Sequence, residues 1–160
     1  MLLWLIDEID MIQRKQTLFL LLAALLTLTT LSCQIASVAT SGMTTIRVYN
    51  LMWIDTAGAS SMSTWPLFAI LLLASALTFY TIFLFKRRLH QAKMCLLPMT
   101  LVLLWYVALI VISKSLAPDA AEFSLLWPVA LPAVSLILLF MARKAILADE
   151  KLVRAADRIR

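Results

Sequence analysis

The sequence predicts an all-α membrane protein: an up-down bundle of four transmembrane helices, with a cytoplasmic extension of the fourth helix. Three observations predict it. Four long apolar runs follow one another, each close to the roughly 20 residues that cross about 30 Å of hydrocarbon. The 160-residue chain is 63% hydrophobic and 14% charged, whereas soluble domains run near half apolar and a quarter charged. Finally, twelve of the fourteen Lys and Arg fall on one side of the implied membrane: Arg14, Lys15, Lys86, Arg87, Arg88, Lys93, Arg143, Lys144, Lys151, Arg154, Arg158 and Arg160. Only Arg47 and Lys114 fall on the other. Positive segments stay cytoplasmic, so both termini are expected inside a bacterial inner membrane.

The elements follow in order within one membrane domain covering residues 1–160. Met1 to Asp10 reads MLLWLIDEID, too short to span and carrying three acids. It reads as an N-terminal extension, with Met11 opening the basic MIQRKQ that precedes a first span. A short amphipathic helix on the inner surface is the alternative. Span one is expected at about 18–39. Thr44 to Ile54 (TTIRVYNLMWI) is rich in β-branched and aromatic residues and leaves room for a short β segment in the first outer loop. Ala57 to Ser63 reads as loop.

Span two is expected at about 65–85, with Pro66 in its first turn, where a missing N–H costs nothing. A basic turn, Lys86 to Lys93, follows on the inside. Span three is expected at about 94–113, with Pro98 near its start. Span four is expected at about 125–142. Pro128 and Pro132 near its outer end predict a kink, since a proline inside a helix removes a backbone hydrogen bond. Residues 143–160 continue as a polar cytoplasmic helix, in which Glu150 and Arg154 form an i, i+4 pair in the favourable order.

Chemistry is sparse. No Asp, Glu, Lys, Arg or His lies in the interior of a span, which counts against a proton-coupled transporter. The span hydroxyls (Thr27, Thr30, Thr78 and Thr81 among them) read as helix-packing residues. Trp105 and Tyr106 near the middle of span three need partners for N–H and O–H, and the threonines of spans one and two are candidates. A lined cavity there would mark a ligand site. Cys33 and Cys95 belong to opposite leaflets, which excludes a disulfide between them. Thr30 to Cys33 resembles a poor lipoprotein box in a run that continues past the cysteine, so a retained span is expected. No metal, cofactor or catalytic residues emerge, and the chain reads as not an enzyme. Asp55 with Arg47, or Asp119 with Glu122, are the only polar groups that could serve lipid chemistry.

The candidate contact surface is the cationic cap: Lys86, Arg87, Arg88, Lys93, Arg143, Lys144, Lys151, Arg154, Arg158 and Arg160. Such a cap meets lipid headgroups or a docking partner. Nucleic acid is disfavoured, because the cap lacks stacking aromatics and contains Asp149, Glu150 and Asp157.

Four stretches carry a family resemblance: MIQRKQTLFLLLA from Met11, TWPLF from Thr64, TIFLFKRRLHQAKMCLL from Thr81 and ARKAILADEKLVRAADRIR from Ala142. Together they resemble the domain of unknown function 4293 family, small four-span membrane proteins of Bacteroidetes-type bacteria. The resemblance implies fold and location and brings no activity. The expected role is a non-enzymatic accessory or scaffold subunit that docks through the C-terminal helix, with membrane lipids and a protein partner or further copies of itself as contacts. The alternative is a small oligomeric channel or transporter for a neutral or lipid-like substrate.

Overall fold

Every described apolar helix buries one stripe and leaves the opposite face bare, the pattern of helices whose outer faces meet no water. In the computed structural model, residues 2–39, 45–85, 87–116 and 122–157 are described, with side chains over 16–39, 45–85, 87–116 and 123–155. Helix α1 covers Leu2–Ser32, α2 Trp65–Phe83, α3 Arg88–Met94, α4 Leu96–Leu116 and α5 Ala130–Asp157. On α2 the buried residues are Leu67, Leu71, Ala74, Ser75, Thr78 and Thr81, while Leu72, Leu73, Tyr80 and Phe83 are exposed. On α4 they are Pro98, Val102, Trp105 and Leu109. Helix α1 packs against α2 and α5, and α2 against α4. Helix α3 packs mainly on α5.

Three helical stretches are long and apolar enough to cross a membrane: Trp65–Phe83, Arg88–Leu116 and Trp127–Ala155. The apolar stretch Gln16–Ser32 is shorter. The fold is therefore mostly helical, but the all-α expectation needs correcting, because the chain also forms a five-stranded sheet. Strands β1 (Gln34–Ala39), β2 (Thr45–Tyr49), β3 (Trp53–Ile54), β4 (Ser60–Ser61) and β5 (Glu122–Leu125) pair antiparallel in the order β4-β3-β2-β1-β5.

The first expected span ends seven residues early as a result. Helix α1 stops at Ser32, and QIASVA becomes β1, hydrogen-bonded on both sides. Hydropathy cannot tell a buried strand from the last turns of a span. A register shift between Gln34 and Ala36 bulges β1, so the consecutive Ile35 and Ala36 are both buried. That is the local effect of an extra residue in a ladder.

The β segment expected at Thr44 to Ile54 is found as β2 and β3, with Thr44 itself outside the described residues. The predicted loop at Ala57 to Ser63 contains β4. Gly58, at φ +83°, closes the β3–β4 hairpin. Its N–H donates to the Asp55 carbonyl at 3.0 Å, and the Asp55 N–H donates to the Ala59 carbonyl at 2.9 Å. A left-handed residue after a turn is the device of such hairpins, and glycine adopts it without strain.

The prolines mark helix starts. Pro66 occupies the first turn of α2, as expected. Pro128 lies in a 3-10 turn, Trp127–Val129, and Pro132 in the first turn of α5. The predicted kink is corrected accordingly: neither proline interrupts a helix interior. Pro98 clears the Met94 carbonyl by breaking the rod at Cys95, between α3 and α4. The basic turn is thus shorter than expected, because Arg88–Met94 is already helix.

The sheet seats on the helices through Ile35, Ala36, Val38 and Val48, packed with Leu67, Leu71, Trp105 and Leu109. Asn50 binds this junction. Its Nδ2 donates to the Thr30 carbonyl at 2.7 Å, and its Oδ1 accepts from Trp105 Nε1 at 3.0 Å. All three residues are essentially fully buried. Tyr106 donates its hydroxyl to the Val129 carbonyl at 2.6 Å. The threonines do not serve these aromatics, contrary to expectation. Thr27, Thr30, Thr78 and Thr81 each donate to carbonyls of their own helix.

Replacing Asn50 by Leu strands the Trp105 N–H in an apolar interior and leaves the Thr30 carbonyl only the longer bond from the Cys33 N–H at 3.3 Å, at about 2–4 kcal/mol for the two losses together. Trp105→Phe strands only the Asn50 oxygen and loses less, about 1–2 kcal/mol. Thermal unfolding in detergent checks the order; an unshifted midpoint for Asn50→Leu would sink the assignment.

Candidate functional site

The cationic candidates converge at the end of the helices opposite the sheet. Arg87, Lys93, Lys144, Lys151 and Arg154 are exposed there, and Arg88 and Arg143 are half-buried. Lys86, Arg158 and Arg160 lie outside the described residues, as do the side chains of Arg14, Lys15 and Glu122 and the whole of Asp119.

The surface rests on a packed layer. Leu20 and Ala23 of α1, Ala92 of α3, Cys95 at the α3–α4 break, and Leu139, Ala142 and Ile146 of α5 form one buried cluster. Ala23, Ala92 and Ala142 are small enough to let the helix backbones approach closely. Gln91 Nε2 donates to the Thr81 carbonyl at 3.1 Å, joining α3 to the last turns of α2.

One cation is not available to a partner. Arg88 Nη1 lies 2.9 Å from Asp149 Oδ2, with the Arg88 side chain 21% and the Asp149 side chain 2% exposed. The two atoms lack hydrogen-bond alignment, so the attraction is that of charges in contact. The sequence placed Asp149 on a thoroughly polar section of helix. It is instead one of the most buried polar groups, facing α3 two turns beyond Ala142. No sequence periodicity links Arg88 to Asp149, 61 positions away. The expected i, i+4 pair is present: Arg154 Nε donates to Glu150 Oε1 at 3.0 Å. It is exposed and contributes only a few tenths of a kcal/mol, roughly.

The remaining candidates sort by burial. His90 stands exposed on α3 beside Arg87. Arg47 and Asp55 line one shallow cleft of about 280 Å³ on the sheet, with Thr45, Ile54 and Thr56. The Asp55 carboxylate accepts from the Thr56 N–H at 2.6 Å and from its hydroxyl at 3.2 Å, which ties it to the turn. Trp105, where a ligand site would need a lined cavity, is packed among core residues. Cys33 and Cys95 are free thiols, at the α1–β1 junction and the α3–α4 break respectively.

The profile of a domain of unknown function, DUF4293, matches residues 12–159. The chain belongs to that family. No curated protein matches it.

The ion pair should be asymmetric on mutation. Arg88→Ala leaves Asp149 buried and unpaired, at about 3 kcal/mol or more. Asp149→Ala leaves an arginine already a fifth exposed, which can turn to water, so it should lose clearly less. Unfolding midpoints of the two variants and of Arg88→Met/Asp149→Leu test this. The double variant should recover much of the loss, and equal loss from both single variants would overturn the argument.

Proposed function

We propose that this DUF4293 member is a multi-pass inner-membrane protein with both termini in the cytoplasm, in which α1 adds a fourth span to the three long apolar stretches. Its role in this reading is non-enzymatic: an accessory or scaffold subunit of a membrane complex, docking through its basic C-terminal helix.

The observation that carries the docking reading is the end of α5. A 28-residue helix is roughly 42 Å long, which exceeds about 30 Å of hydrocarbon by some two turns. Residues 151–155 are all exposed. Among them Leu152 and Val153 carry apolar surface, 62% and 36% exposed, next to Lys151 and Arg154. An apolar stripe flanked by cations on a projecting helix suits an acidic groove or partner helix. The Arg88–Asp149 contact holds the base of that projection, so the tail leaves the body at a fixed angle.

The topology has support at both ends. Trp65 and Trp127 are exposed at the starts of α2 and α5, where interfacial aromatics sit. The exposed cations gather at the opposite end. In a background with both native cysteines replaced by Ala, an impermeant thiol reagent should label Met62→Cys on intact cells. It should reach Lys93→Cys only after permeabilisation. The reverse pattern would invert the topology.

Docking is tested by purification in mild detergent with an N-terminal tag, beside a variant truncated after Glu150, which keeps the Asp149 contact. A stoichiometric partner retained by the full chain and lost on truncation is expected. A lone species, unchanged by truncation, would remove the scaffold reading.

A further inference from the structure

A cleft of about 330 Å³ opens where α2 gives way to α3, lined by Tyr80, Phe83, Leu84, Arg87 and His90. Its two halves differ in chemistry. Tyr80, Phe83 and Leu84 form an apolar wall, with Phe83 72% and Tyr80 54% exposed. Arg87 and His90 form the polar rim, and both are exposed. Neither makes an ion pair among the described residues. Asp149 and Glu150, the acids described at this end, are taken by Arg88 and Arg154. No carboxylate lines the cleft among the described residues.

Depth selects the occupant. Counting from Trp65, Tyr80 lies roughly 22 Å down α2 and Phe83 roughly 27 Å. Across about 30 Å of hydrocarbon, this puts the aromatic wall at the innermost acyl methylenes and Arg87 at the phosphate layer. A groove with an aromatic wall below and an arginine and a histidine above, neither in an ion pair among the described residues, matches a phospholipid in cross-section. Arginine offers planar paired donors to phosphate oxygens, and His90 adds a ring N–H.

We propose that this cleft seats an anionic phospholipid of the inner leaflet. Arg87 and His90 hold its phosphate, and one acyl chain lies along Tyr80 and Phe83. Arg87 attracts the net negative charge of a phosphatidylglycerol-type headgroup, and no carboxylate among the described lining residues repels it, whereas the cationic group of a zwitterionic headgroup is repelled by the same arginine. The proposal rests on the topology stated above and is independent of docking by the C-terminal helix.

The test uses the full chain in mild detergent, titrated with phosphatidylglycerol, phosphatidylcholine or inorganic phosphate and read by native mass spectrometry. Phosphatidylglycerol should be retained as a discrete adduct. Arg87→Ala/His90→Ala should weaken it at least about tenfold, the size expected for losing charged hydrogen bonds. Lys144→Ala/Lys151→Ala, which removes at least as much positive charge elsewhere, should leave it unchanged. Equal loss from both double variants would reduce the effect to net charge and overturn the site. So would phosphatidylcholine binding as tightly as phosphatidylglycerol, or inorganic phosphate competing at the lipid's own concentration. Phe83→Ser, which leaves Arg87 and His90 in place, should also weaken retention; no change there removes the acyl-chain half of the proposal. The Lys93→Cys accessibility pattern separates the two failures. Inside labelling with no lipid selectivity sinks only the cleft, whereas outside labelling sinks the topology and the cleft together.

Discussion

A helix that ends among apolar neighbours cannot turn its last carbonyls to water, and this chain is organised around two places where a buried amide adds a donor to such a carbonyl beside the backbone N–H of the final turn. At one end Asn50 reaches from the β2–β3 turn to the Thr30 carbonyl in the final turn of α1. At the other, Gln91 reaches from α3 to the Thr81 carbonyl near the end of α2. Both amides are buried. Each therefore does two jobs: it satisfies its own buried N–H on a carbonyl that already accepts one backbone N–H, and it fixes one element against another. Asn50 goes further by accepting from Trp105, so one side chain locks α1, α4 and the sheet. Moving any of the three leaves an unpaired polar group in the interior, a penalty larger than the net gain from a typical hydrogen bond.

The end opposite the sheet adds a charge contact to its amide. Arg88 and Asp149 join α3 to α5 above a layer of small residues, Ala23, Ala92 and Ala142. Close helix approach and a half-buried ion pair reinforce each other here. The small side chains narrow the gap across which the charges meet, and the apolar layer lowers the local dielectric that screens them. A buried pair of this kind is weak support for stability in itself, since desolvation offsets much of the attraction. Its value lies in geometry. It fixes where α5 leaves the body, and it removes one cation and one carboxylate from the surface, leaving a face on which Arg87, Lys93, Lys144 and Lys151 are unpaired among the described residues.

The long helices were legible because span length and charge asymmetry act through the whole segment: α2 begins at Trp65 as read, and α5 continues far past Ala142. The i, i+4 contact of Arg154 with Glu150 was legible for the same reason, being local. What escaped the sequence was non-local or ambiguous in polarity. QIASVA is uncharged and largely apolar like the helix before it, and only pairing with β2 and β5 makes it a strand. Asn50 lay within the Thr44 to Ile54 stretch that left room for a short β segment, but its burial follows from how that sheet seats on the helices, which hydropathy does not register. Asp149 sat among solvated charges in the linear pattern, and its partner lies 61 positions away. The cleft at Arg87 and His90 depends on how the chain turns between α2 and α3, which spacing alone leaves open. The mis-assigned partners of Trp105 and Tyr106 share this cause: threonines in a helix prefer the carbonyl one turn back, which is always within reach.

The sheet also resolves a length problem in the four-span arrangement proposed here. From Thr17, just past the basic MIQRKQ, to Ser32, α1 rises only about 24 Å, short of about 30 Å of hydrocarbon. The missing depth is covered by β1, whose Ile35, Ala36 and Val38 pack against Leu67 and Leu71, within roughly two turns of Trp65. Irregular or extended backbone survives at that depth only where protein surrounds it and every ladder group is paired. β1 meets the second condition by lying inside the sheet, between β2 and β5, and the first through the Trp105 and Leu109 side of α4. The polar hairpin of β3 and β4, with Ser60 and Ser61, occupies the opposite edge, where short strands and hydroxyls suit a wet interface. A first helix about one turn too short is therefore tolerated because the strand after it is paired on both sides and packed into the core. The same enclosure makes Asn50 necessary, since the carbonyls at the end of α1 lie beneath that strand rather than in water.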